Sequence, residues 1–141
     1  MEKITFVNEN APYVSAENLN QMQTNVENAI NEIIETGSNS NGRWIKWADG
    51  TMIVTQLYER TYESRIVTGS LYWGAIEDIL DYPVSFTELH SVSITAKDKN
   101  LVSAMPYGSA TNKPATTIYV YSTAELTGTL PINVIAVGRW K

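Results

Sequence analysis

The spacing of apolar residues changes period near residue 42. Upstream, Leu19, Met22, Val26, Ala29 and Ile33 recur at spacings of 3, 4, 3 and 4, the a/d register of an amphipathic helix, and Ile30 and Ile34 widen the stripe. Asn20, Gln21, Thr24, Asn28 and Asn31 occupy the polar side. Ser15 stands as N-cap, with Val14 and Leu19 spaced for a hydrophobic staple and Glu17 in the first turn, where the helix dipole favours an acid. Gly37 is placed to close the helix, and Ser38-Asn39-Ser40-Asn41-Gly42 reads as a loop or hinge. The pattern predicts a helix over 15–37, a rod of roughly 30 Å. Burying each large apolar side chain of the stripe is worth about 1.5–3 kcal/mol, so it needs a cover. Two covers are open: the chain's own sheet, or a parallel coiled coil with other copies.

Downstream the period is 2. Arg43-Trp44-Ile45-Lys46-Trp47-Ala48 and Thr51-Met52-Ile53-Val54-Thr55-Gln56 flank Asp49-Gly50, a strong hairpin signal. A two-residue turn would set Trp47 against Met52 and Ile45 against Val54 on one side, leaving Trp44, Lys46, Ile53 and Thr55 on the other. Large side chains on both faces suggest a sandwich or a subunit interface. Further strands are predicted over 64–73, 88–96, 116–122 and 132–140, between glycine and proline punctuation. Residues 74–82 read as either a helical turn or a loop. With no helices alternating among the strands, the fold class is mainly β with an N-terminal helix, the head an antiparallel β-sandwich or jelly-roll-like domain. The expected organisation is an arm over 1–14, a helix over 15–37 and a β domain over 43–141.

Composition narrows the function. Hydrophobic residues make up 43% of the 141 residues and charged residues only 18%, with Asn, Thr and Ser in their place, which fits a β-rich surface and a real core. The net charge of −5 comes with scattered Lys and Arg, so no nucleic-acid partner is expected. No Cys is present, which excludes disulfides and thiolate metal sites. No long apolar run and no signal-peptide pattern occur, so neither membrane insertion nor secretion by its own leader is expected.

Candidate chemistry is sparse. His90, the single histidine, lies in a predicted strand with no GxSxG elbow, and zinc would need further ligands. Glu77, Asp78 and Asp81 cluster, yet acidic loops on an acidic protein are ordinarily solvated. No Walker loop, GxGxxG or HExxH is present, so the expectation is a protein that is no enzyme and carries no cofactor and no metal. Aromatic usage remains. Trp44, Trp47, Tyr58, Tyr119 and Tyr121 alternate along strands and belong to a core or an interface. Tyr72-Trp73-Gly74 and Tyr107-Gly108 sit beside breakers, where rings can meet sugars. A saccharide site would then use Tyr72, Trp73 and Tyr107, with Asp78 and His90 as polar partners; ordinary packing is the alternative.

Three segments carry a resemblance. Pro12 to Asn20 is similar to the AENLN opening, Asn41 to Thr51 to the NGxYxKxxDGT segment, and Ile135 to Lys141 to the IAIGRWK ending of tail-fibre and baseplate receptor-binding proteins from phages and prophages, chiefly of Gram-positive hosts. Tyr82-Pro83-Val84-Ser85-Phe86 is similar to their P-x-x-F, although His90 stands where proline is frequent. The resemblance implies a virion tail protein: an attachment arm, a homotrimeric coiled-coil neck and a β head that adheres to host cell-wall polysaccharide alongside other tail proteins. Leu19, Met22, Val26, Ala29, Ile30 and Ile33 would then form the trimer seam. A purely structural baseplate or fibre subunit is the alternative.

Overall fold

The computed structural model describes residues 15–30 and 33–141, without the side chains of 29 and 30. The arm expected over 1–14 lies outside the described residues. Among the described residues, one helix, α1 (Ala16–Ile30), precedes nine strands. Its start follows the expected cap: the Asn18 N–H donates to Ser15 Oγ at 3.1 Å. Within it, the Gln21 side chain donates to Asn25 Oδ1 and that of Gln23 to Glu27 Oε1, one turn apart.

The helix does not run to Gly37. From Ile33 the chain is extended, as β1 (Ile33–Asn39), and pairs antiparallel with β2 (Gly42–Trp47), so the β domain begins ten residues before the expected boundary at 43. Tertiary partners override the helical pattern here. Gly37, expected as a helix cap, faces Trp44, and a Cβ on it would come 2.2 Å from the indole ring. Glu35 accepts hydrogen bonds from Trp44 Nε1 at 2.6 Å and Lys46 Nζ at 3.0 Å, and these hold its carboxyl below the usual range. The expected hinge at 38–42 is the β1–β2 turn, where Asn39 Oδ1 accepts the Asn41 N–H at 2.8 Å. Ile33, expected in the helical seam, is an exposed strand residue.

Two antiparallel sheets enclose the core. The first has the order β1-β2-β3-β9-β6, with β3 at Thr51–Ser64, β6 at Glu88–Ala96 and β9 at Leu126–Arg139. The second has the order β4-β5-β8-β7, with β4 at Ile66–Thr68, β5 at Leu71–Ile76, β7 at Ser103–Tyr107 and β8 at Thr117–Ser122. Met52, Val54, Leu130, Ile132, Val134 and Ala136 point inward from the first sheet and meet Ile76, Ile118 and Val120 of the second. Among the described residues, no side chain of α1 belongs to this core.

The β2–β3 hairpin forms, but one residue out of the expected register. Its loop is Ala48-Asp49-Gly50, with Lys46 opposite Met52, Ile45 opposite Ile53 and Trp44 opposite Val54. Gly50 takes φ +96° and the Thr51 N–H caps Asp49 Oδ1 at 2.8 Å, which suits a three-residue turn. A one-residue slip exchanges the faces. Trp44 and Lys46 therefore share the inner side with Met52 and Val54, whereas Ile45, Trp47 and Ile53 face outward.

The strand predicted over 64–73 is broken at Gly69 into β4 and β5, and Gly74 lies inside β5 rather than at its end. Pro131 falls within β9, which β6 pairs only from Ile132 onward, so the proline meets an open edge. Residues 77–87 form the loop of the two readings left open. It sends Ile79, Tyr82 and Phe86 into the core, while Asp78 pairs with Arg60 at 3.1 Å and Asp81 with Lys113 at 3.3 Å. Among the described residues no group of three His, Asp or Glu is arranged to hold a metal ion.

The Tyr82 hydroxyl is buried with no hydrogen-bond partner among the described residues, and burial, reinforced by Tyr58, pushes it up to about 12. The unfolded tyrosine ionises near 10, so between about pH 10 and 12 the folded state holds the proton that the unfolded state has released, and stability falls as pH rises. Tyr82→Phe should leave the melting temperature at pH 7 unchanged or raised and should flatten this alkaline loss. Thermal melts of both proteins from pH 7 to 11 test this; parallel curves would refute it.

Candidate functional site: an aromatic sheet face

Strand alternation in the second sheet sorts its side chains cleanly. Ile118, Val120 and Ser122 of β8 are buried, so Thr117, Tyr119 and Tyr121 face outward. On β5 the buried Gly74 and Ile76 alternate with Trp73 and Ala75, and on β7 Met105 and Tyr107 are exposed. Register then assembles a surface. Trp73 lies opposite Tyr121, Met105 opposite Tyr119, and Tyr107 opposite Thr117. Diagonal neighbours on one sheet face are within reach of large side chains. Tyr119 accordingly bridges the other two rings: its centroid is 6.1 Å from that of Trp73 and 6.4 Å from that of Tyr107, each pair tilted by 58°.

The result is a diagonal ladder of three rings across β5, β8 and β7, none of them part of the core. Tyr107, at one end, is 68% exposed. It also borders a hollow of about 350 Å³ with Val92, Ile94, Pro106 and Pro114, where the edge strands β6 and β7 approach each other. At the other end Ile66 lies opposite Trp73, and Arg65, whose N–H donates to the Trp73 carbonyl at 3.1 Å, pairs with Glu63 at 3.4 Å and Glu125 at 3.6 Å. Apolar ring faces beside ionic and hydroxyl groups are what a saccharide requires: its C–H faces pack on rings and its hydroxyls take hydrogen bonds.

The five residues expected to form a sugar site do not all meet. Trp73 and Tyr107 share the ladder. Tyr72 lies opposite the buried Ser122, on the inner side of β5. Asp78 is on the loop after β5 and is engaged by Arg60. His90 belongs to the first sheet, at the β6 bulge, where its Nε2 is 3.5 Å from Glu88 Oε1. Tyr119, expected in a core or an interface, is the centre of the ladder. Its signal was present in Thr117-Ile118-Tyr119-Val120-Tyr121, where alternation puts the aliphatic set and the aromatic set on opposite faces. Strand β7 was hidden by Pro106 and Gly108; proline is tolerated because β7 is an edge strand.

No family model and no curated protein matches the chain. Its fold is similar to that of a solved tail fibre. The C-terminal part of the R1 pyocin fibre of Pseudomonas aeruginosa superposes with a TM-score of 0.50 at 17% identity, over 82% of this chain. The chain spans about a third of that fibre fragment's length, 31%. An N-truncated R1-type pyocin tail fibre gives a TM-score of 0.46 at 15% identity, covering 82% of this chain and 94% of the other. The similarity is one of fold, and a Pseudomonas fibre lends no support to the expected Gram-positive host. Among the described residues, no helix is long and apolar enough to cross a membrane.

Proposed function

We propose that this chain is a tail-fibre head that adheres, as a homotrimer on a virion tail, to saccharide on the host cell surface, and that it acts without catalysis. The observation that carries the reading is the ring ladder Trp73–Tyr119–Tyr107, displayed on the outer face of a rigid sheet with a hollow at one end. A soluble domain rarely leaves three aromatic rings side by side on its surface without a use for them. One such surface binds sugar weakly, and three copies held together gain affinity by avidity. The fold similarity to a tail fibre and the three sequence segments support the same reading.

The test is retention on host cells and on purified cell-wall polysaccharide, comparing the wild type with Trp73→Ala and Tyr107→Ala. Both rings lie outside the core, so each variant should keep the wild-type circular dichroism spectrum while retention falls at least tenfold. Undiminished retention would remove the ladder from the site. A wild type that ignores cells and glycans but captures other tail proteins would instead establish a structural fibre subunit. Release of reducing ends from the polysaccharide would overturn the absence of catalysis.

A further inference from the structure

The geometry points to a pocket for the acetamido group of an N-acetylated sugar, in the hollow beyond Tyr107. The inference rests on the saccharide reading of the ring ladder and names the class of sugar that the site takes. The hollow, of about 350 Å³, opens where Tyr107 ends the ladder; Val92 and Ile94 of β6, Pro106 of β7 and the fully buried Pro114 line it together with Ser109. Ligand pockets run from about 300 Å³ upward, so this space suits one sugar residue and not a stretch of polysaccharide. Its wall at Tyr107 is fixed, because the Tyr107 carbonyl accepts the Thr116 N–H at 2.9 Å and the Thr116 hydroxyl at 3.1 Å. A sugar stacked on the ladder therefore has a defined place for whatever group it extends past the last ring.

Three features select the acetamido group. The first is charge: none of the residues lining the hollow is acidic or basic. A uronic acid or a free amino sugar would leave its ionised group there without a counter-charge, which is costly. The second is the walls. Val92, Ile94 and Pro114 match a methyl group, whereas the hydroxyls of a plain hexose would lose water against them with nothing in return. The third is the rim. β6 and β7 are edge strands: among the described residues β6 pairs with β9 alone and β7 with β8 alone. The main-chain N–H and C=O groups on the sides turned to the gap are therefore without a strand partner. An acetamido group carries the N–H and C=O of a peptide bond, and edge strands recognise peptides through these same hydrogen bonds. A deoxy sugar brings a methyl without the amide, and a hexose brings polar groups without the methyl. The acetamido group brings both on one planar unit.

The test passes the full chain over polyacrylamide that carries many copies of one sugar: N-acetylglucosamine, N-acetylgalactosamine, glucose or galactose. Retention on at least one N-acetyl polymer should exceed that on its parent hexose polymer by about tenfold or more. Ser109→Phe fills the hollow from an exposed loop position, and Ile94→Thr makes an aliphatic wall polar. Each should bring that ratio towards one while the circular dichroism spectrum stays that of the wild type. Trp73→Ala should instead lower retention on both polymers of a pair and leave their ratio unchanged. A ratio that survives both Ser109→Phe and Ile94→Thr would overturn the pocket. So would a wild type that is retained on host cells without preferring any N-acetyl polymer, and the ladder reading would then still stand. A wild type retained on neither cells nor any of the sugars would overturn both.

Discussion

Gly74→Ala should lower the melting temperature of the head by on the order of 10 °C, the largest loss expected from adding one methyl group to this protein. A Cβ at Gly74 would lie 1.6 Å from the Glu63 carbonyl oxygen and 2.8 Å from its carbon. Both obstacles are backbone, so no rotamer change relieves them. β5 would have to retreat from the end of β3, at the point where the chain leaves the first sheet and begins the second. The buried Ser64–Ser122 hydroxyl pair, 2.6 Å apart, sits at the same corner and would be disturbed with it. Overpacking of this kind costs about 1–3 kcal/mol and sometimes more, against a total stability of about 5–15 kcal/mol for a typical domain. Gly69→Ala is the control. Gly69 has φ +61° with nothing within 4 Å of the added Cβ, so it should cost only about 1–2 kcal/mol of backbone strain. Thermal denaturation of the two variants side by side decides the matter. Equal losses would mean that crowding at Gly74 is relieved by movement of β5.

Val26→Asp should dissociate the proposed trimer while leaving the β domain folded. In the single chain Val26 is 54% exposed and lies outside the core, so the substitution removes nothing from it. Val and Asp differ little in helix propensity, which keeps the intrachain effect to tenths of a kcal/mol. In a three-helix seam the same change buries three carboxylates side by side, at several kcal/mol each unless they take up protons. An isolated helix of 15 residues is marginal in water, so α1 should lose helicity once the neck separates. Light scattering should give a monomer with a retained β spectrum and a weakened helical signal. A variant that stays trimeric would show that α1 takes no part in assembly.

These two variants also mark where sequence reading succeeded and where it stopped. Periodicity located β6 at 88–96, and most of β8 and β9, because each buries alternate residues on one face. The Ser15 cap was legible because capping is a contact between residues three apart. The exposed ring at Tyr107 was legible beside its breaker Gly108, whereas Trp73 is half-buried on the outer face of β5 and Tyr72 next to it turns inward. The connection of Trp73 and Tyr107 through Tyr119 was not legible, since it depends on which strands become neighbours.

The sequence by itself determined what local rules determine: a short capped helix, a β-rich remainder, a hairpin around Asp49-Gly50, and a surface poor in charge and free of thiols. Tertiary structure decided the rest. Trp44 and Lys46 recruited Glu35 and Gly37 into a strand, overriding a helical pattern worth only tenths of a kcal/mol per residue. The hairpin register, and with it the sides on which Ile45, Trp47 and Ile53 lie, followed from one extra residue in the turn. Tyr72, Asp78 and His90 were dispersed to a sheet interior, a loop and the opposite sheet, because residues close in sequence or alike in chemistry share a surface only when strand pairing brings them to the same face.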